Sequence, residues 1–259
     1  MKKLTFLLCA CLCLSASALD ISEKHEKVIE NTVKHYENIL KQDFTVNIVC
    51  PQIFGLINAM LFTQAKASGA PANMPVPSIS YVRRTHKVSK NQDKYDLGWG
   101  RQMPKELIEH AKEKIDTQLE AFGEMCSALT LDGLKEIAEF AEDNTCRLLN
   151  EDPNQFVVTI SGLDEELIEG VKVIGANIRF NKRFNTVDFV SLKLLGNKNI
   201  DIAITHQKIN GDNSNKFGAV PMRIVIKNNL QKQVGGMVIP PQLNFVLNYS
   251  IPNRGDMGM

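Results

Sequence analysis

Several things are scarce in this chain of 259 residues, and each scarcity narrows what it can be. Aromatic residues make up 7% of it, with one tryptophan, so no row of stacking platforms for bases or sugars is on offer. Charge of one sign is lacking too: 30 Lys and Arg against 29 Asp and Glu give a net charge of +1. That balance removes the global basic field a nucleic-acid partner would require. Catalytic signatures are missing as well, with no G-x-S-x-G elbow, phosphate loop or zincin word. His25, His35, His86, His110 and His206 are scattered, and no C-x-x-C or H-x-x-x-H pair suggests a metal. The sequence therefore points to no metal, no cofactor and no catalytic residue. A Ser or Cys nucleophile in the irregular loops, as in an exported hydrolase, is the remaining enzymatic alternative.

What is present begins with the N-terminus. Lys2 and Lys3 precede an apolar run from Leu4 to Leu14, and Ala16-Ser17-Ala18 supplies small residues for signal peptidase. Cleavage after Ala18 makes residues 1–18 a signal peptide and the protein an exported, periplasmic one. Leu8-Cys9-Ala10-Cys11 offers the alternative of a lipoprotein tether at Cys11. No later segment reaches eighteen uninterrupted apolar residues, so no transmembrane span is expected. Three cysteines remain beyond the signal, Cys50, Cys126 and Cys146. A bridge between Cys126 and Cys146 across a helix-turn-helix is one reading, and three buried reduced thiols the other.

Periodicity divides the rest. Asp20 to Gln42 is an amphipathic helix with Val28, Ile29, Val33, Tyr36, Ile39 and Leu40 on one stripe and an Asp20–Glu23 capping box. Period 2 follows over Phe44 to Val49, and a second apolar run covers Leu56 to Thr63. Ala65 to Pro77 is an irregular loop, Ile79 to Val88 a strand, and Tyr95 to Trp99 another. Two helices come next, one from Pro104 to about Leu129 and one from Leu131 to Asn144.

From Gln155 onward strands dominate, over Phe156–Ser161, Val171–Asn181, Thr186–Leu195, Ile200–Lys208, Pro221–Lys227 and Leu243–Tyr249. Their turns are too short for parallel crossovers, so this half is an antiparallel meander. The domain runs from 19 to 250 with a helical insert at 104–144, and 251–259 is a tail. Asp164, Glu165, Glu166 and Glu169 flank a turn as a solvated face. Arg83-Arg84-Thr85-His86-Lys87 is either a charged docking surface for anionic headgroups or an edge strand defended by charge. Trp99, in Gly98-Trp99-Gly100, is a packing anchor.

The fold class is α+β, a curved antiparallel sheet (an unclosed β-barrel) covered by amphipathic helices. Such a sheet either encloses an apolar cavity suited to an acyl chain or packs solid as a scaffold of the envelope. Inward candidates for lining a cavity are Phe44, Val46, Ile48, Ile202, Ile204, Ile224, Phe245 and Leu247.

The order of elements, and above all Asp201 to Tyr249 with its Asn-Gly turn and Phe217-Gly218-Ala219-Val220-Pro221, resembles the LolA/LolB-like family of periplasmic lipoprotein carriers and outer-membrane lipoprotein-sorting proteins. The resemblance implies helices acting as a lid over an apolar cavity. It also implies an acyl chain or lipoprotein as partner, with a membrane-bound donor or acceptor. The arginine that some carriers use to hold the lid would fall on Arg83 or Arg179.

Overall fold

The structure is a computed structural model. It describes residues 21–42, 44–52, 55, 63, 78–85, 92–98, 126, 129–168, 171–209, 218–230, 233–234, 237–238 and 240–250. The signal segment, the loop at 65–77, Trp99, the helix read from Pro104 to Leu129 (apart from Cys126 and Leu129) and the tail lie outside these residues. The strand read over Leu56–Thr63 also lies outside them, save for Thr63, whose backbone is helical.

The first helix, α1, runs Glu23–Leu40 and buries Ile29, Val33, Tyr36 and Ile39, the stripe read from period 3.6. Its start differs from expectation. Ser22, not Asp20, is the N-cap, and the His25 ring replaces the acidic partner. Nδ1 accepts from the Ser22 backbone N–H at 3.1 Å. A second helix, α2 (Leu131–Asp143), buries Leu131, Gly133, Leu134, Ala138 and Ala141. Packed against α1, it brings Lys135 Nζ to 4.0 Å from Glu37.

Among the described residues the strands are β1 (Phe44–Val49), β2 (Ser78–Thr85), β3 (Gln92–Gly98), β4 (Arg147–Glu151), β5 (Gln155–Ile168), β6 (Val171–Asn181), β7 (Thr186–Leu194), β8 (Lys198–Lys208), β9 (Ala219–Asn228), β10 (Gln233–Val234), β11 (Met237–Val238) and β12 (Gln242–Ser250). Ten form one antiparallel sheet in the order β3-β2-β1-β12-β9-β8-β7-β6-β5-β4, and β10 pairs antiparallel with β11 in a separate two-stranded sheet. The meander expected for the C-terminal half is present from β4 to β9. β12 then pairs with β1, joining the N-terminal strands to the meander. Among the described residues the outer strands β3 and β4 do not meet, so the barrel is unclosed.

Register breaks in β5, β6, β7 and β8 give the sheet its bend, because an extra residue on one strand raises the local twist. Left-handed backbone at Gly196 (φ +84°) and Asn197 (φ +59°) turns β7 into β8.

Three expectations are corrected here. β2 is not an edge, since it lies between β1 and β3, so edge protection does not explain Arg83 and Arg84. The strand expected to end at Ser161 runs on as β5 to Ile168, so Asp164, Glu165 and Glu166 stand on the strand that flanks the turn into β6, with Asp164 and Glu166 exposed as expected, and Lys172 Nζ meets Asp164 at 2.8 Å across the hairpin. Cys126 and Cys146 stand as separate buried thiols, so the bridge is not formed. Cys146 Sγ donates instead to the Ala141 carbonyl at 3.3 Å, and Cys50 Sγ to Gln52 Oε1 at 3.5 Å. Burial pushes the Cys146 thiol up to about 12.

Candidate functional site

One face of the sheet is apolar from β1 to β5, and α1 and α2 rest on it. Inward side chains on β1 (Phe44, Val46, Ile48), β12 (Leu243, Phe245, Leu247), β9 (Val220, Ile224) and β5 (Phe156, Val158, Ile160) are all buried in a single core. The eight residues singled out from sequence fall on this face, and cross-strand register brings them together. Ile48 sits opposite Leu247, Phe245 opposite Ile224, Ile224 opposite Ile204, and Ile202 opposite Ile226. Seven of the eight are no more than 5% exposed, and Ile202 is half-buried. The opposite face carries Thr159, Asn177, Ser191, Asp201 and Lys227, the polar set that alternation requires of solvent-side positions.

Near the outer ends of β8, β9 and β12 this apolar face opens into a cleft of about 160 Å³, lined by Gln207, Lys208, Ile209, Met222 and Tyr249. Of these, Gln207 and Lys208 are exposed, and Ile209, Met222 and Tyr249 are half-buried. Small-molecule sites usually occupy about 300–1,000 Å³, so the cleft admits only part of such a guest as it stands.

Sequence periodicity did not reveal how α1 is fastened. Polar side chains tie it to the sheet at three places. At its start His25 packs on Phe156 with ring centroids 4.6 Å apart, and its Nε2 lies 3.2 Å from Glu151 on β4. The same carboxylate accepts from Lys182, which ties β4 to the β6–β7 turn. Near the other end His35 Nε2 lies 2.8 Å from the carbonyl of Ala219, the first residue of β9. The third tie is the Tyr36 hydroxyl, fully buried, which accepts the Val187 N–H of β7 at 2.9 Å. That bond leaves the phenolic proton to donate to His206 Nε2 on β8, 3.3 Å away.

Those roles put the His206 ring proton on Nδ1, which faces Asp188 Oδ1 at 3.2 Å with an angle too bent for a hydrogen bond. Thr186 Oγ1 and Asn181 Nδ2 each donate to Asp188 at 2.8 Å. Burial alone would raise Asp188. The His206 ring, Asn181 and Thr186 outweigh it and hold the carboxyl below the ordinary carboxylate value. Burial raises the Tyr36 phenol far above its usual value and lowers His35 below 6.5, with the nearby His206 adding to the second effect.

Of the two candidate arginines, Arg179 is not placed to hold α1. Arg179 belongs to the outward set of β6, between the inward Ile178 and Phe180, and its guanidinium lies over the Phe189 ring at 5.1 Å. Arg83 pairs in register with Val46 on one side and Asp93 on the other, at the far end of the sheet from β7 and β8.

Among the described residues no group of three His, Cys, Asp or Glu could hold a metal ion, and no helix is long and apolar enough to cross a membrane. No family model and no curated protein matches the sequence. Among solved structures the chain is similar to a LolA superfamily protein from Nitrosomonas europaea. The match has 10% identity, covers 88% of this chain and 95% of that one, and superposes with a TM-score of 0.32, too loosely to say anything about ligand or activity.

Proposed function

We propose that the chain is an exported, periplasmic binding protein that takes an acyl chain, free or as the anchor of a lipoprotein, against the apolar face beneath α1. No bond is made or broken in this role. The observation that carries the reading is the continuous apolar face from β1 to β5, roofed by α1 and open at the cleft beside Met222 and Tyr249.

Energetics support an exchange between roof and guest. Ile29, Val33, Tyr36 and Ile39 hold α1 down with about 1.5–3 kcal/mol each, or roughly 6–12 kcal/mol together. An acyl chain of about fourteen methylenes, at about 0.8 kcal/mol each, supplies roughly 11 kcal/mol on burial. A guest that lifts α1 therefore recovers what the helix gives up. Entry begins at the cleft, where exposed Gln207 and Lys208 suit a polar or anionic head.

The test is fluorescence of an anilinonaphthalene sulfonate dye with the folded, signal-free chain. Enhancement that palmitate reverses supports the reading, and no enhancement before unfolding overturns it. A second reading, a filled scaffold of the envelope, is favoured by the near-complete burial of Phe44, Val46, Ile48, Ile224, Phe245 and Leu247. It predicts a dye-silent native state.

A further inference from the structure

The outer face of the sheet, opposite the helices, is not polar throughout. One rung across it is the polar set Thr159, Asn177, Ser191, Asp201 and Lys227. The rung beside it runs Val157–Arg179–Phe189–Ala203–Val225, joined strand by strand from β5 to β9. Four of those five are apolar, yet none of the four belongs to the core beneath α1 and α2. Val246 of β12, 38% exposed, stands diagonal to Val225 and extends the row. With strands about 4.8 Å apart, Val157 to Val225 alone spans about 19 Å. Apolar side chains gathered in line on a solvent face mark a place that meets something else.

Charge along this row is mostly of one sign. Lys193, Arg223 and Lys227 are exposed beside it, and half-buried Arg179 stands within it, its guanidinium over the Phe189 ring at 5.1 Å. Lys193 Nζ reaches Thr159 Oγ1 at 3.5 Å and Arg223 Nη2 the Asn244 amide oxygen at 3.4 Å, both neutral acceptors. Asp201 is the carboxylate of the two rungs, and Ser191 and Asn199 already donate to it at 2.6 and 2.8 Å. Among the described residues no carboxylate lies within salt-bridge distance of any of these four cations. Four positive charges against one is a local excess in a chain whose total is +1.

The shape of the face decides between partners. Because the sheet bends around the helices, its outer face is convex, and a flat surface meets the middle strands β7, β8 and β9 first. Acidic groups of a protein, fixed in place, call for cations at matching fixed positions. Here the cations stand on β6, β7 and β9, on both sides of the row, and three reach into solvent, which suits a diffuse layer of headgroup phosphates.

We infer that this outer face docks the protein on an anionic lipid surface, the apolar row meeting the interface while Arg179, Lys193, Arg223 and Lys227 meet headgroup phosphates. This goes beyond the proposed function, since the acyl chain is taken on the other face, and either can fail while the other stands.

Flotation of the signal-free chain with vesicles tests it. The chain should rise with vesicles containing phosphatidylglycerol and not with phosphatidylcholine alone. Salt at about 1 M, which shortens the screening length to about 3 Å, should release it. A basic residue near such a surface contributes about fivefold in partitioning, so Arg223→Gln combined with Lys227→Gln should weaken binding by about 25-fold. Both side chains are exposed, so their loss leaves the core intact. Val246→Asp, which sets a carboxylate in the row, should weaken binding too, whereas Lys24→Gln with Lys27→Gln, at exposed positions of α1, should not. No flotation with anionic vesicles, equal flotation without phosphatidylglycerol, an equal loss in the α1 pair, or parental binding by Val246→Asp overturns the docking face. Retention on immobilised polyglutamate without flotation would assign the face to an acidic protein and overturn it as well. A chain that floats but responds to neither dye nor palmitate would keep the docking face and lose the proposed function.

Discussion

Tyr36 is the residue whose loss should say most about how the roof is held. Tyr36→Phe keeps the ring, which is fully buried, and removes only the hydroxyl. The Val187 N–H then loses its acceptor at 2.9 Å, and His206 Nε2 loses its donor at 3.3 Å, with no water able to replace either in so tight a site. Leaving a buried donor unsatisfied costs about 1–3 kcal/mol, and the orphaned ring nitrogen adds to it. We expect about 2–3 kcal/mol of lost stability, or roughly 4–12 °C in Tm for a chain of this size. Urea unfolding followed by circular dichroism would measure it, with the slope against denaturant unchanged if the folded and unfolded states keep their compactness. Exchange of the Val187 amide should accelerate more than that of Phe156. A loss under about 0.5 kcal/mol with Val187 still protected would refute the placement of the hydroxyl, because a merely packed ring leaves no polar group behind when it is trimmed.

Other outcomes follow from the same geometry. Asp188→Asn should cost about 1–3 kcal/mol at pH 7, since the carboxylate accepts from Thr186 and Asn181. Because the folded-state value of Asp188 is depressed, its contribution is present above 3.8 and lost as pH falls through the folded value, so the gap between variant and parent should close in strong acid. Gly175→Ala places a Cβ 2.8 Å from the Ile160 carbonyl, a backbone atom that cannot step aside. A loss of about 1–3 kcal/mol in thermal unfolding is expected, and a neutral result would contradict the β5–β6 register. Cys50, Cys126 and Cys146 should resist an aromatic disulfide reagent at pH 8 in the folded chain and react after unfolding without reductant. Failure to react after unfolding would restore the Cys126–Cys146 bridge.

Legibility of the fold tracked the range of the forces involved. The stripe of α1 and the alternation of Leu243, Phe245 and Leu247 are set by neighbours within one helical turn or one strand, and they stand in the sequence as they do in the structure. Where a bulge intervenes, alternation misleads: the inward residues of β6 run Val173, Ala176, Ile178, Phe180, with Ile174 turned out to 43% exposure. β4 escaped notice because its outward positions leave almost no apolar period, Leu149 included.

The capping role of His25 was hidden because acidic residues abound at the start of α1 and histidine is an unusual partner there. Least legible were the contacts that fasten the roof. Tyr36 meets Val187 across 151 positions and His206 across 170, and His35 meets Ala219 across 184. Nothing local marks residues whose partners lie that far along the chain. The apolar face itself was legible, since burial of its eight candidate residues depends on strand phase alone, but whether a guest enters depends on α1.

The most direct measurement is therefore a titration of the methyl-labelled chain with a fatty acid bearing a nitroxide near its tail. If the acyl chain lies beneath α1, the methyls of Ile48, Ile204, Ile224 and Leu247 broaden together and saturably. Broadening confined to exposed Leu149 and Leu195, or none at all, would contradict it.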